Sequence, residues 1–389
     1  MSVSRVWLAF FGGVCGALLV GCNVFDSSLI ETEGADPDAS IDMGDAPPDF
    51  GTNTGIGCTE GSRVAPARPP ASMEGDDIEE LVFGLKEVLL NPGETGWREI
   101  GLNLDNYCSE APVPQGECIP PNPDATLLLD GEQGIDNAFG AELYPLVELV
   151  FPDLQMVSRM SSDNGIGVVA VRLRGYNGRA NDPRVDVTLS QSVTGFAGTP
   201  DQTEPPAFTI IDYEPYMPDG VTRLDSPAWE GHDWMVLRDD TFFAGDLEQP
   251  LVRDDNAYVV ERKLVMVLPD RVEIRFAGDA NGITVKLTDA RAIGTLSEDF
   301  SQLTDVTFAG RWSVLDLLQT TRSLGVCEDD AEFMIFRNKL QTAADVRATP
   351  GTGGDMVNCD ALSIGVTFQG YRIRLAGVTE GRQPPDRCP

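Results

Sequence analysis

The chain has one histidine, His232, and only four lysines among its 28 basic residues. A single imidazole rules out the His-rich zinc sites that need several such ligands. The nucleophile-elbow pattern G-x-S-x-G is absent, so no serine has the setting of a hydrolase nucleophile. Positive charge is scarce overall. Against 62 acidic residues it leaves a formal net charge of −34, which argues against nucleic acid or anionic head groups as partners. Beyond the first twenty-odd residues, no apolar run approaches the ~20 residues that a helix needs to cross a bilayer. The eight cysteines lack the paired short spacings of a zinc ribbon or finger.

The N-terminus carries the most information. Met1–Arg5 holds one positive charge, and Val6–Val20 is uncharged and mostly apolar. This is the grammar of a secretory signal, too short for a mature spanning helix. It ends in Leu19-Val20-Gly21-Cys22, which resembles the bacterial lipobox. The resemblance implies cleavage before Cys22 and a diacylglycerol on its thiol, with acyl chains enough for stable anchoring. Asn23 follows, not the Asp that holds some lipoproteins at the inner membrane, so the outer membrane is the expected address.

Three regions follow: a signal peptide at 1–21, an acidic tether at 22–77 and a folded domain at 78–389. The tether is rich in Asp, Glu, Gly, Pro, Ser and Thr and has little apolar periodicity. Cys15 leaves with the signal and Cys22 carries lipid. Six cysteines remain: Cys58, Cys108, Cys118, Cys327, Cys359 and Cys388. An even remainder in an exported chain reads as three disulfides, with fifteen connectivities open. Proximity favours Cys108–Cys118 across a Pro-containing loop and Cys327–Cys359 around a helical segment. Cys58–Cys388 would then join the domain's ends.

Forty glycines and 27 prolines imply frequent turns and suit a β-rich protein. Short apolar runs predict strands at 81–90, 97–104, 166–174, 184–193, 207–213, 233–237, 258–268, 271–276, 282–287 and 362–375. Helical spacing of Phe139, Leu143, Leu146, Val147, Val150, Leu154 and Val157 predicts a helix over 137–160, kinked at Pro145 or Pro152. Two shorter helices are expected at 312–324 and 330–340. The fold class expected is mainly β, a β-sandwich of jelly-roll or concanavalin-like kind with a few short helices.

Two segments have the look of fixed motifs, Gly134-Ile135-Asp136-Asn137-Ala138-Phe139-Gly140 and Tyr176-Asn177-Gly178-Arg179-Ala180-Asn181-Asp182. With the lipobox they resemble uncharacterised exported lipoproteins of myxobacterial type. That resemblance implies location and globularity and no activity.

Asp136 can cap the helix that follows, and 176–182 can form a tight loop. Asp136, Asn177, Asn181 and Asp182 are also oxygen donors, and calcium is the cofactor they would suit, although no EF-hand pattern is present. The runs 253–256 and 278–282 are oxygen-rich too and read equally well as hairpin turns. Trp229 and Trp234 flank His232, a setting in which aromatic rings can stack on sugars or simply fill a core. Glu74-x-Asp76-x-x-Glu79 resembles the catalytic strand of concanavalin-fold glucanases. It ends an acidic run without the buried apolar spacers that a carboxylate pair needs.

The function expected is therefore a lipid-anchored, non-catalytic binding or surface-interaction module of the cell envelope. Its partners would be the membrane, through the anchor, and a glycan or another envelope protein. The alternative is a glycoside hydrolase on a concanavalin-like fold.

Overall fold

In several strand runs, such as 81–85, 169–173 and 185–189, every second residue is apolar and buried, and this places one face of those strands on a shared core. In the computed structural model, the described residues are 56–58, 61–73, 75–90, 93–110, 115–122, 127–150, 153–268, 271–276, 283–354, 356–382 and 387–388. All belong to the unit Phe50–Pro389. Cys22 and the loop at 278–282 lie outside them.

The strands are β1 (Leu81–Leu89), β2 (Val169–Arg174), β3 (Asp182–Phe196), β4 (Thr209–Ile211), β5 (Glu214–Tyr216), β6 (Trp234–Arg238), β7 (Val252–Val260), β8 (Lys263–Val267), β9 (Val272–Phe276), β10 (Ile283–Leu296), β11 (Gln302–Ser313), β12 (Ala361–Arg372) and β13 (Arg374–Thr379). The helices are the single turn α1 (Gly93–Gly96), α2 (Tyr144–Val150), α3 (Leu154–Asp163), α4 (Val314–Ser323) and α5 (Ala331–Ala343).

Strand makes up 37% of the described residues and helix 21%, so the expected mainly-β class is observed. The expected sandwich is replaced by a closed barrel. Eight strands pair in the circular order β1-β2-β3-β7-β8-β10-β11-β12, every pair antiparallel, and β12 returns to β1. Each strand is flanked by its neighbours in sequence, insertions aside, which makes this an up-and-down barrel. A sandwich would need two separate inner faces. Here Leu81, Phe83 and Leu85 of β1, Val169, Val171 and Leu173 of β2, and Val185, Val187 and Leu189 of β3 all meet in one core.

One end of the barrel is closed by tight turns. Glu261 and Arg262 form the two-residue β7–β8 hairpin, both with positive φ, the geometry that follows strand twist. The loop at 176–182 folds over that hairpin: Glu261 N–H donates to Asn181 Oδ1 at 3.0 Å and Arg262 N–H to the Ala180 carbonyl at 2.8 Å. The other end carries the insertions. α2 and α3 link β1 to β2, and α4 and α5 link β11 to β12. Phe139, Leu143, Leu154, Leu317 and Leu340 continue the barrel core into this cap.

The single helix expected at 137–160 is a π-turn over Phe139–Leu143 followed by α2 and α3, with the interruption after Val150. Pro145 is the second residue of α2, which follows the π-turn without a break, so the helical run passes through this proline and is interrupted only after Val150. Asp136 does not cap this segment. Its neighbour Asn137 does, with Oδ1 accepting from Gly140 N–H at 3.0 Å.

Asn137 also ties β12 to the loop before it. Its Nδ2 donates to the carbonyls of Ile100 (2.9 Å) and Gly365 (3.1 Å), and its Oδ1 accepts from Gly365 N–H at 3.1 Å. Gly365 allows this approach, since a Cβ there would lie 2.4 Å from the Ile100 carbonyl oxygen.

Several expectations are corrected. Residues 97–104 are not a strand partner of β1, which lies between β2 and β12. The run at 253–256 belongs to β7 and is not a turn. The disulfides are Cys58–Cys108, Cys118–Cys359 and Cys327–Cys388. Short backbone pairings bring these partners together: Ile56 bridges Tyr107, and Ile119 bridges Asn358. Sequence proximity carries no such information.

The described part of the tether is also packed. Ala65 is buried with Tyr258 and Val265, and Arg68 donates to the Pro183 carbonyl while its guanidinium lies 4.5 Å from the Tyr258 ring centre.

Asn137→Ala strands the Gly365 N–H and removes the bonds to two buried carbonyls. Each orphaned group costs about 1–3 kcal/mol, so a loss of more than ~3 kcal/mol in urea unfolding free energy is expected. A loss below 1 kcal/mol would show that water replaces the amide.

Candidate functional site

The length of β3 creates the site. Its first half bonds β7 along one edge, from Asp182↔Val259 to Leu189↔Val252. Its second half bonds β6, from Ser192↔Leu237 to Phe196↔Trp234. The opposite edge stays on β2 and on residues 167 and 168 through Ser192. Where the partner changes, β6 and β7 diverge and a cleft of about 320 Å³ opens at the barrel mouth. Its floor is apolar: Val169 and Leu189 from the barrel interior, with Val272 and Ile274 from β9.

The rim is polar and ordered. Gln191, buried on β3, uses its amide as a substitute strand. Nε2 donates to the Arg275 carbonyl at 2.9 Å and Oε1 accepts from Arg275 N–H at 3.1 Å, which holds the free edge of β9 across the opening. Arg238 is 2% exposed and lies against Asp240 in a two-point pair, Nε to Oδ1 at 2.9 Å and Nη2 to Oδ2 at 2.7 Å. Thr241 Oγ1 donates to the Arg238 carbonyl at 2.7 Å.

Arg275 is held more loosely. Its contacts with Glu273 Oε1 are 3.3 and 3.4 Å and that with Asp240 is 3.9 Å. Its Nη1 is shielded from solvent and has no hydrogen-bond partner among the described residues. The cleft thus combines apolar walls with one under-coordinated cation. No histidine or cysteine is among the described residues that line it.

A second, larger hollow of about 930 Å³ runs along the outer wall between α3 and the ends of β1, β11 and β12, away from the barrel interior.

Asp136 sits in a different arrangement. The loops before β2 gather Asp105, Asp130 and Asp136, and the segment leading to β12 adds Asp345. Asp136 Oδ2 accepts from Leu104 N–H at 2.6 Å, Asp105 Oδ1 from Tyr107 N–H at 2.8 Å, Asp130 Oδ2 from Ser109 N–H at 2.6 Å, and Asp345 Oδ1 from Ser363 N–H at 2.8 Å. Arg311, fully buried, pairs with Glu117 and donates to the Leu104 carbonyl beside them.

Burial raises all four aspartates, and mutual repulsion adds to it. Asp130 is pushed up to about 8 and Asp345 to about 7. Hydrogen bonds from Ser109 and Asp136 restrain Asp130, and bonds from Ser363 restrain Asp345. No group of three or more His, Cys, Asp or Glu among the described residues has the geometry of a metal site.

The other predicted site residues are placed as follows. Asn177, Asn181 and Asp182 share one loop at the opposite end of the barrel from the cap, apart from Asp136. Their oxygens are engaged internally: Asp182 Oδ2 with Asn177 N–H, Asp182 Oδ1 with Arg184 N–H, and Asn177 Oδ1 with Arg179 N–H. Trp234 is 4% exposed, packs with Phe196 and Val236, and lies beneath Arg374. Trp229 is partly buried between Lys86 and Tyr371. Asp233, next to His232, accepts from Ala228 and Trp229 N–H at 2.9 and 2.6 Å and so braces the loop. Of the glucanase-like run, Asp76 and Glu79 are exposed and Glu74 lies outside the described residues.

No family model, curated protein or solved structure matches the chain.

Acids whose pKa is raised by folding bind protons more tightly in the native state. Their stabilisation is complete below pH ~4 and is lost as pH rises through 7 to 8. Urea unfolding is therefore expected to give a lower free energy at pH 8.5 than at pH 5. Asp130→Asn and Asp345→Asn should each reduce that difference by about 1 kcal/mol or more. An unchanged pH profile in both variants would count against the cluster.

Proposed function

We propose that this protein is a lipid-anchored, non-catalytic binding module of the bacterial cell envelope, with the barrel-mouth cleft as its ligand site. The lipobox at Leu19–Cys22 supports export, a signal peptide and the anchor. The three disulfides suit an oxidising compartment. Outer-membrane attachment follows from Asn23 after the lipidated cysteine. The observation that carries the binding assignment is the cleft itself. It is concave, apolar at its floor and fixed at its rim by a few polar groups, and it sits at the mouth of a barrel, where small ligands are commonly held.

The tryptophans contribute packing instead of an open stacking surface, so a glycan would be read by polar groups in the cleft and not by aromatic rings. A glycoside hydrolase needs two carboxyl groups facing a substrate cleft. Among the described residues the acids with raised pKa are Asp105, Asp130, Asp136, Asp254 and Asp345, and none lines the mouth cleft or the outer-wall hollow. The carboxylates that do line the mouth cleft, Asp240 and Glu273, are paired with arginines, which favours binding over catalysis.

Two measurements test the reading. Cys22→Ser should abolish palmitate incorporation; labelling that persists removes the anchor. A thermal-shift screen of envelope glycans and small metabolites against the full chain should find at least one class that raises the melting temperature by several degrees. Leu251→Trp, which fills the cleft from its rim, should erase that shift. Hits that survive the substitution would place binding elsewhere, and a screen with no hits would sink the assignment.

A further inference from the structure

Resting on the cleft as ligand site, we propose that its ligand class is an amphipathic monocarboxylate, with its apolar tail on the Val169–Leu189–Val272–Ile274 floor and its carboxylate on Arg275.

The floor is continuous with the barrel core, so an apolar group entering the cleft exchanges water contact for packed hydrocarbon. The volume of about 320 Å³ lies at the small end of ligand pockets, which run from roughly 300 to 1,000 Å³. That limits the tail to a short chain.

The head group follows from the cations. Arg238 is already bound at two points by Asp240 and is occupied. Arg271 points its ion pair at Asp316 of α4, outside the cleft. Arg275 alone keeps long internal contacts and a shielded Nη1 without an acceptor among the described residues. A guanidinium presents a fork that matches a carboxylate at two points, and such a pair in a partly dry site is much stronger than a 3.3–3.9 Å contact.

Gln191 fixes the backbone on both sides of the Arg275 peptide group and so restricts where the fork can reach. Glu273, half-exposed, is the internal competitor. It occupies Arg275 at long range and is displaced by a better-placed carboxylate. Arg238 is neutralised by Asp240 and Arg271 by Asp316, which leaves Arg275, among the described residues, as the one cation for a ligand at the rim, so a single negative charge fits better than the two of a phosphate.

The test uses octanoate as probe, with 1-octanol lacking the carboxylate and acetate lacking the tail, in titration calorimetry on the full chain. Octanoate is expected to bind at least tenfold more tightly than either. Arg275→Gln should lose that preference by tenfold or more, while Arg322→Gln, on the surface of α4, should not. Glu273→Gln removes the competitor at an exposed position without risk to folding, and should tighten octanoate several-fold.

Equal binding of octanoate and 1-octanol would overturn the carboxylate while leaving the cleft a binding site. Failure of octanoate to bind, when a screened ligand still binds and loses its shift in Leu251→Trp, would overturn the ligand class alone. An octanoate preference unchanged in Arg275→Gln would overturn the role of Arg275, and an unchanged or weaker octanoate affinity in Glu273→Gln would overturn Glu273 as its competitor.

Discussion

Closure of the sheet by β3 is the constraint on which the rest of the molecule depends. A sheet with eight antiparallel strands has two edges unless its first and last strands meet. Here the strands follow one another around the ring, and the seam between β3 and β7 must bridge the long insertion that holds β4, β5 and β6. β3 is 15 residues long because it serves three partners: β2 along one edge, then β7 and β6 in turn along the other. The alternation of Val185, Val187 and Leu189 keeps its barrel half facing inward. Any shift of one residue would turn these side chains out and break all three pairings at once.

The divergence of β6 and β7 is a direct cost of that sharing. Two strands cannot occupy one edge, so a gap opens where one leaves and the other begins. The protein closes part of it with the Gln191 amide, which continues the ladder to β9 where no main chain is free to do so. The remainder is the cleft. Its apolar floor is the exposed end of the barrel core, and its arginines come from the ends of β6 and β9. The unusual chemistry of the rim thus arises from topology.

The buried aspartates follow a different logic. Irregular segments at 102–110 and 127–136 lack strand partners for several of their N–H groups, and carboxylates accept those bonds. Two disulfides, Cys58–Cys108 and Cys118–Cys359, fasten the same loops. Crowding four acids into this region raises their pKa values and makes the loop region sensitive to pH. Arg311 brings positive charge into the region, paired with Glu117 and with Asp289, and it donates to the Leu104 carbonyl.

Much of the secondary structure was legible from residue order. β1, β2, β3, β6, β9 and the helices near 144–163, 314–323 and 331–343 lie where periodicity places them. β11 was not legible. It bulges between Leu303 and Val306, with Asp305 at φ 51°, so its inward residues fall out of step and no clean alternation marks the strand. β7 was masked by the acidic run at 253–256, whose Arg253 and Asp255 face outward while Asp254 turns in to accept from Val267 N–H.

Composition and local pattern, which need only neighbouring residues, determined the β-rich class and the excess of acidic residues. Barrel closure, the disulfide partners, the carboxylate cluster and the Arg275 cleft unite residues up to 241 positions apart, as Cys118 and Cys359 are. Only the tertiary structure decided these, because strand register and edge sharing are set by which faces can be buried together and leave no mark on the residues nearby.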